Sequence, residues 1–240
     1  METIRGIVLR TVKFNDTSLI VDLFTEAYGY MSFVGKVTRS RRQGMSNAFW
    51  QPLSMLEFQA EVRTVGKLPR PYDVGFYYKY GNIPLSPQKT AIVLFIAEFL
   101  SASLREEKQN TPLYRYVEHS LQWFDEARFP SAIANFHLVF LMHLSRFMGI
   151  YPNLESPARY FDLLSATYQE NQPLHPNYIE KEEAAVIPLL FRMNYFTAHL
   201  FKLSSMQRHR ILEILNSYYR QHVPNFPELK SLEVLHEVFA

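Results

Sequence analysis

The chain has 240 residues, of which 48% are hydrophobic and 20% charged, and its mean hydropathy is −0.15. This composition excludes a disordered, collagen-like or coiled-coil protein, because the apolar surface suffices for a packed core. Cysteine is absent, which excludes a disulfide framework, a thiolate zinc site and a cysteine nucleophile. The net charge of +2 says little about partners, so the distribution of charge is the informative quantity.

Charge and glycine content both change near residue 81. Residues 1–80 hold 11 Lys or Arg and 7 Asp or Glu, a balance of +4, whereas the other 160 residues balance at −2. Seven of the eight glycines fall within the first 81 residues. Glycine marks turns and bulges and is costly inside helices. We therefore predict two domains, a basic β-rich domain over residues 1–81 and a helical domain over residues 82–240.

The first domain contains five short runs that are rich in β-branched and apolar residues or alternate in polarity. Five short strands separated by turns favour a small antiparallel barrel or sandwich. A barrel is preferred because closure removes exposed strand edges. A basic loop after the third strand is consistent with an OB-type barrel, so the predicted fold class is α+β. The five runs cover residues 3–14, 18–25, 31–38, 53–63 and 72–80.

The second domain begins after a breaker cluster at residues 81–87, which ends in a candidate N-cap, Ser86, followed by Pro87. Apolar residues then recur at helical spacing. The predicted domain is all helical except for a proline-containing irregular insert at about 151–178. The predicted helices start at 87, 112 and 130 and resume over about 180–201, 204–222 and 228–239.

No secretory signal follows Met1, because a basic start and an apolar core are both missing. The most apolar stretch, residues 91–100, contains Glu98 and is far shorter than the roughly 20 residues that cross a bilayer. We expect a soluble, cytoplasmic protein with no membrane partner.

Neither the histidines nor the acidic residues form a catalytic motif. The eight histidines show no His-x-x-x-His spacing, and glycine-rich phosphate loops and nucleophile elbows are absent. Glu180, Glu182 and Glu183 fall in the first turn of a predicted helix, where they complement its dipole. We predict no metal, no cofactor and no enzymatic activity. A nuclease that uses Asp16 and Asp22 is a weak alternative, because no third ligand is evident.

Residues 35–42 (Gly-Lys-Val-Thr-Arg-Ser-Arg-Arg) form the strongest local signal. Arginine forks bind phosphate oxygens in pairs, hydroxyls add hydrogen bonds, and a nearby aromatic ring can stack on unpaired bases. An alternative remains open, in which the chain is a non-catalytic protein-interaction adaptor whose basic loop binds an acidic partner. The predicted DNA-binding residues are Lys36, Thr38, Arg39, Arg41, Arg42 and Trp50.

The order of these features resembles the bacterial recombination protein O (RecO) family of recombination mediators. The clearest piece is the run Ser-Leu-Ile-Val-Asp-Leu-Phe-Thr at 18–25, followed by a turn and the basic segment. Weaker matches follow in the same order within the helices. The matching stretches are residues 6–10, 16–25, 29–42, 95–100, 136–144, 149–154 and 229–232.

The resemblance implies an N-terminal OB barrel, binding to single- and double-stranded DNA, and annealing of complementary strands. It also implies three partners: the acidic C-terminal tail of single-strand-binding protein, RecR and, indirectly, RecA. A protein of this kind is associated with the nucleoid. By position, Lys36 and Arg39 match the basic DNA-contact pair of the family, and Arg41 and Arg42 extend it.

Two departures from the family pattern affect the helical domain. Many members carry a four-cysteine zinc ribbon after the stretch matching 149–154, but residues 155–178 contain no cysteine. That element is expected to be metal-free or rebuilt by packing of Tyr160, Phe161, Leu163, Leu164 and Tyr168. Relatives also often have basic residues just before the position of Phe136, where this chain has Ala134 and Asn135. Other cations are then candidates for binding the acidic tail: Arg128, Arg146, Arg192 and Lys202.

Overall fold

A computed structural model describes residues 1–36, 48–62 and 67–238. The chain divides into two compact units. The N-terminal unit comprises Met1–Glu126 with Leu229–Leu235, and the C-terminal unit comprises Ala127–Glu228 with His236–Ala240. The division predicted at residue 81 from composition lies inside the N-terminal unit and stays a prediction.

The N-terminal unit is built on a five-stranded antiparallel sheet with the order β3-β2-β1-β4-β5. The predicted α+β class and its five N-terminal strands are thus confirmed. β1 pairs with β2 along its second half and with β4 along its first half, and a bulge between Val8 and Arg10 bends it. The strands are β1 (Glu2–Lys13), β2 (Ser18–Thr25), β3 (Gly29–Lys36), β4 (Met55–Ala60) and β5 (Tyr72–Tyr78).

The barrel is open in the described part of the chain, because β3 and β5 form the two edges of the sheet. One backbone hydrogen bond nevertheless reaches the β3 edge from the connection between β4 and β5. Val34 N–H donates to the Pro69 carbonyl oxygen at 2.9 Å. The sheet therefore curls in the manner of an OB-type barrel without a β3–β5 ladder.

Alternating side chains of the strands fill the core of this sheet. Val21, Leu23 and Phe33 are fully buried, and the Phe33 and Phe58 rings meet edge to face with centroids 5.1 Å apart. Burying one such side chain contributes about 1.5–3 kcal/mol, so the apolar alternation fixes which face of each strand points inward.

Helices follow the sheet where the breaker cluster predicts them. The Ser86 hydroxyl accepts from the Lys89 N–H at 3.3 Å and Pro87 occupies the first turn, as expected for a helix start. The helices are α1 (Pro87–Ser103), α2 (Thr111–Glu126), α3 (Pro130–Phe147), α4 (Lys181–Ala184), α5 (Ile187–Arg192), α6 (Ser205–His222) and α7 (Ser231–Val238). Across the described ranges, no helix has the length and apolarity to cross a membrane.

The region predicted as an irregular insert contains a small antiparallel sheet, which corrects the expectation of an otherwise all-helical domain. Its order is β7-β6-β8, with β6 at Tyr160–Asp162, β7 at Thr167–Gln169 and β8 at Tyr178–Ile179. Strands of two or three residues are too short to show a period of two. Only the pairing itself reveals them.

The single helix predicted over 180–201 is also wrong, because the chain forms α4, α5 and a 3-10 turn at Ala198–Leu200 instead. Pro188 in the first turn of α5 cannot donate a backbone hydrogen bond to the preceding turn. Further on, the Asn194 carboxamide oxygen accepts from the Phe196 and Thr197 N–H groups, which favours a turn over a helix.

Candidate nucleic-acid interface

Lys36 is the one described cation of the predicted basic segment, and it stands exposed at the end of β3. It lies opposite Ser18 of β2, and its carbonyl oxygen accepts from the Trp50 indole N–H at 3.1 Å. The structure thereby fixes where the segment leaves the sheet. The remaining predicted contacts Thr38, Arg39, Arg41 and Arg42 lie outside the described residues.

Trp50 lies in the core of the sheet and not on its surface. Trp50 is only 5% exposed. Its ring packs over Gly35, where an added Cβ would lie 3.0 Å from the ring atom Cε2. A buried ring offers no face to a base, so the stacking role predicted for Trp50 is corrected. Trp50 instead holds the backbone at Lys36. The sequence placed an aromatic residue near the basic segment, but burial could not be read from that proximity.

A second basic stretch reaches the same strand from the β4–β5 connection. The backbone hydrogen bond between Val34 and Pro69 places this stretch at the free edge of β3. Lys67 and Arg70, which flank Pro69, are exposed. In OB-type barrels the second and third strands and the loops flanking them form the common nucleic-acid face. These two cations are not evident from the sequence, because about 30 residues separate them from Lys36 and only the curl of the sheet brings them near it.

The tip of the β1–β2 hairpin lies at the same end of the sheet. The Phe14 N–H donates to the Ser18 carbonyl oxygen at 3.1 Å, and Ser18 in turn lies opposite Lys36. Within the tip, the Asn15 carboxamide oxygen accepts from the Thr17 N–H at 2.9 Å, which closes a local turn. Phe14 is 62% exposed.

The two carboxylates considered for a nuclease do not converge on a common site. Asp16 pairs with Lys13 at 3.2 Å, whereas Asp22 accepts from the Ser32 hydroxyl at 2.6 Å. Burial first, and then the charge of Asp22, raises the pKa of Tyr30 to about 12, so this phenol stays neutral beside the carboxylate. Within the described ranges, no group of three or more His, Asp or Glu is arranged to hold a metal ion.

In the C-terminal unit, the segments that carry Arg128 and Lys202 meet near the start of α3. The Phe129 ring stacks on His199 with centroids 5.0 Å apart, and the Ser131 hydroxyl donates to the His199 carbonyl oxygen at 2.9 Å. These contacts place the neighbouring cations Arg128 and Lys202 at one end of the helix, both exposed.

Arg146 lies in the last turn of α3, and Arg192 follows Phe191 at the end of α5. The Arg146 guanidinium lies over the Tyr151 ring at 4.5 Å and donates to the Tyr151 hydroxyl at 2.9 Å. Tyr151 in turn meets Phe191 edge to face. Pro130 and Arg146 are 16 residues apart within α3, which corresponds to about 24 Å at the rise of a helix. The four predicted cations therefore lie toward opposite ends of α3, two toward each end.

Comparison with known proteins covers nearly the whole chain. The family model "Recombination protein O N terminal" matches residues 1–73, and "Recombination protein O C terminal" matches residues 84–233. The chain belongs to the recombination protein O family. The DNA repair protein RecO of Phocaeicola vulgatus is 48% identical over 237 residues, which are 98% of each chain. That of Bacteroides fragilis is 47% identical, with 98% of this chain and 97% of the relative covered, and that of Flavobacterium psychrophilum is 31% identical, with 98% of each covered.

At the position of the zinc ribbon that the family resemblance implies for many members, this chain has the sheet formed by β6, β7 and β8. Phe161 and Leu163 are buried there, whereas Leu164 is 42% exposed, so only part of the apolar set predicted to rebuild the element is packed. The buried Asp162 carboxylate accepts from Ser165 and Gln169. With no cysteine in the chain, the residues present do not fit a four-thiolate zinc site.

Proposed function

We propose that this chain is a DNA recombination mediator. It binds single- and double-stranded DNA, anneals complementary strands and, with RecR, helps to load RecA onto DNA coated by single-strand-binding protein. The observation that carries the proposal is the match of both RecO family models, which together span residues 1–73 and 84–233. No covalent bond is made or broken in this function, and no cofactor is required.

DNA binds, on this proposal, at the end of the sheet where the basic segment leaves β3. Lys36 supplies one exposed cation there, and Lys67 and Arg70 reach the same strand edge from the β4–β5 connection. Cations that contact phosphates carry no base information, so binding is independent of sequence. Neutralising the phosphates of two strands also lowers their mutual repulsion, which favours annealing.

The acidic tail of single-strand-binding protein binds, on this proposal, to Arg128 and Lys202. Both are exposed, and no ion pair holds either of them among the described residues. Arg146 is the weaker candidate because its guanidinium is already engaged by Tyr151. An acidic tail bound at the start of α3 would contact both exposed cations and the exposed ring of Phe129.

A salt titration tests the DNA-binding part of the proposal. Anisotropy of a labelled single strand is measured with the native chain and with Lys36, Arg39, Arg41 and Arg42 all changed to alanine. Each phosphate contact contributes roughly 0.7 to the log–log salt slope for single strands, so the native slope is expected to exceed that of the variant by about 3.

The matched control removes the same charge elsewhere, by changing the exposed cations Lys79, Lys181, Arg220 and Lys230 to alanine. This control is expected to keep the native slope. Equal slopes for the native chain and the first variant would place DNA on another surface. If the native chain bound no DNA and failed to anneal coated strands but still captured protein partners, the adaptor function would replace the mediator function.

A further inference from the structure

The most exposed aromatic residue described in the N-terminal unit is not Trp50 but Phe14. Trp50 is 5% exposed and its indole N–H is used by the Lys36 carbonyl oxygen. Phe14 is 62% exposed at the β1–β2 tip. Its ring contributes little to the core and is accessible to a ligand.

The backbone places Phe14 and Lys36 two strands apart at one end of the sheet. The Phe14 N–H donates a hydrogen bond to the Ser18 carbonyl oxygen, and Ser18 is the cross-strand neighbour of Lys36. Adjacent strands lie about 4.8 Å apart, so the two backbone positions are separated by about 10 Å. A short stretch of single strand can then place one phosphate at Lys36 and a base on the Phe14 ring.

The tip is held in shape, which suits a stacking platform. The Asn15 side chain closes the turn through the Thr17 N–H and hydroxyl, and Lys13 pairs with Asp16 across it. A ring on an ordered turn loses little conformational freedom on binding. Tyr72 is the next most exposed aromatic of this unit, at 48%. It lies opposite Gln59, whose other neighbour is Thr3 at the start of β1, so it is at the other end of β1 from the hairpin tip.

We propose that Phe14 at the β1–β2 hairpin tip is a base-stacking site for unpaired nucleobases, which gives the chain a preference for single strands over duplex. This inference rests on the proposed DNA binding and adds its strand selectivity. Phosphate contacts alone do not distinguish strands by base access, whereas a ring can stack only on a base that is free of its partner.

The test compares Phe14→Ala with the native chain on a labelled oligothymidine and on a duplex of equal length. Loss of one stacked base corresponds to a fall in affinity of about 5-fold to 150-fold. We expect that fall for the single strand, little change for the duplex, and an unchanged salt slope, because no phosphate contact is removed. Lys36→Ala, in contrast, is expected to lower the single-strand slope by about 0.7.

Two further variants make the result specific. Phe196→Ala removes an equally large ring that is 82% exposed in the C-terminal unit, and it is expected to bind both DNAs like the native chain. Phe14→Trp is expected to retain single-strand affinity, and its added indole fluorescence should be quenched by oligothymidine. Circular dichroism melting of each variant checks that the fold is intact.

The outcomes separate this inference from the function on which it rests. Native single-strand affinity in Phe14→Ala, with a reduced slope in Lys36→Ala, would overturn the stacking site and leave the proposed DNA binding standing. Equal losses on single strand and duplex would make the tip a backbone contact and also overturn it. Loss of RecR capture with unchanged DNA affinity would assign Phe14 to a protein partner. If the native chain bound neither DNA, both proposals would fail.

Discussion

The Asp125 side chain holds the turn between the N-terminal sheet and its helices. The residue is 3% exposed, and its carboxylate accepts from the backbone N–H groups of Gly81, Asn82 and Ile83 at 2.7–2.8 Å. Its carbonyl oxygen accepts from the buried Lys89 ammonium at 2.8 Å. Burial lowers the pKa of Lys89, although the charge of Asp125 opposes that change. The breaker cluster at 81–87 is therefore held from α2, far along the chain.

Changing Asp125 to asparagine should destabilise the N-terminal unit by about 2–3 kcal/mol, because hydrogen bonds to a charged acceptor are lost or weakened, including the bond from the buried Ile83 N–H. Urea unfolding measures the change. Asp73→Asn is the control, since Asp73 is exposed and its φ of 50° suits asparagine equally well. A loss below about 0.5 kcal/mol in Asp125→Asn, the range of ordinary surface substitutions, would show that the turn holds without the carboxylate.

At the scale of elements, the three-stranded sheet depends on one carboxylate. Asp162 is 4% exposed and accepts from the Leu164 N–H, the Ser165 hydroxyl and the Gln169 amide at 2.8–2.9 Å. His175 lies 3.3 Å from it. Burial would raise the pKa of Asp162, but the hydrogen bonds from Leu164 and Ser165 and the proximity of His175 lower it overall. The carboxylate thus joins β6, β7 and the chain before β8.

A lowered pKa in the folded state means that Asp162 stabilises the sheet above the unfolded pKa of about 3.9, and that this contribution is lost as pH falls through the folded value. We expect Asp162→Asn to cost about 1–3 kcal/mol at pH 7 and progressively less below about pH 4. Urea unfolding of native and variant chains at several pH values checks this. Glu170→Gln, an exposed neighbour, should show no such convergence. A pH-independent difference would contradict the assigned role.

At the scale of the whole molecule, the proposed sites lie on different units. The DNA site belongs to the N-terminal unit, and the candidate tail cations Arg128 and Lys202 belong to the C-terminal unit. Binding of the tail would raise the effective concentration of the DNA site near coated strands, without any new contact to DNA. The two activities should therefore be separable by mutation.

Reversing both charges, Arg128→Glu with Lys202→Glu, should weaken binding of a labelled acidic tail peptide by about tenfold, or about 1.4 kcal/mol. Annealing of coated strands should fall, while affinity for naked DNA and its salt slope should stay native. The matched variant Arg146→Glu with Arg192→Glu changes the same charge at the other end of α3. If only that variant lost affinity for the tail peptide, the site would lie at that end of α3. If neither variant lost affinity, the peptide would bind elsewhere.

Elements whose signals are local can be read from the amino-acid sequence alone. Five strands, the capped start at Ser86 and the helices α1, α2, α3 and α6 follow from apolar spacing and turn residues within short windows. The basic segment beginning at Lys36 and the RecO resemblance were likewise legible, because both are runs of consecutive residue types.

Tertiary structure decided what depends on residues that are distant in sequence. It buried Trp50 against Gly35, brought Pro69 and its flanking cations to the edge of β3, and placed Phe14 two strands from Lys36. It also paired strands of two or three residues around Asp162, which show no periodicity. The physical reason is common to these cases: burial and proximity arise from strand pairing and packing, and neither is encoded in a residue's neighbours along the chain.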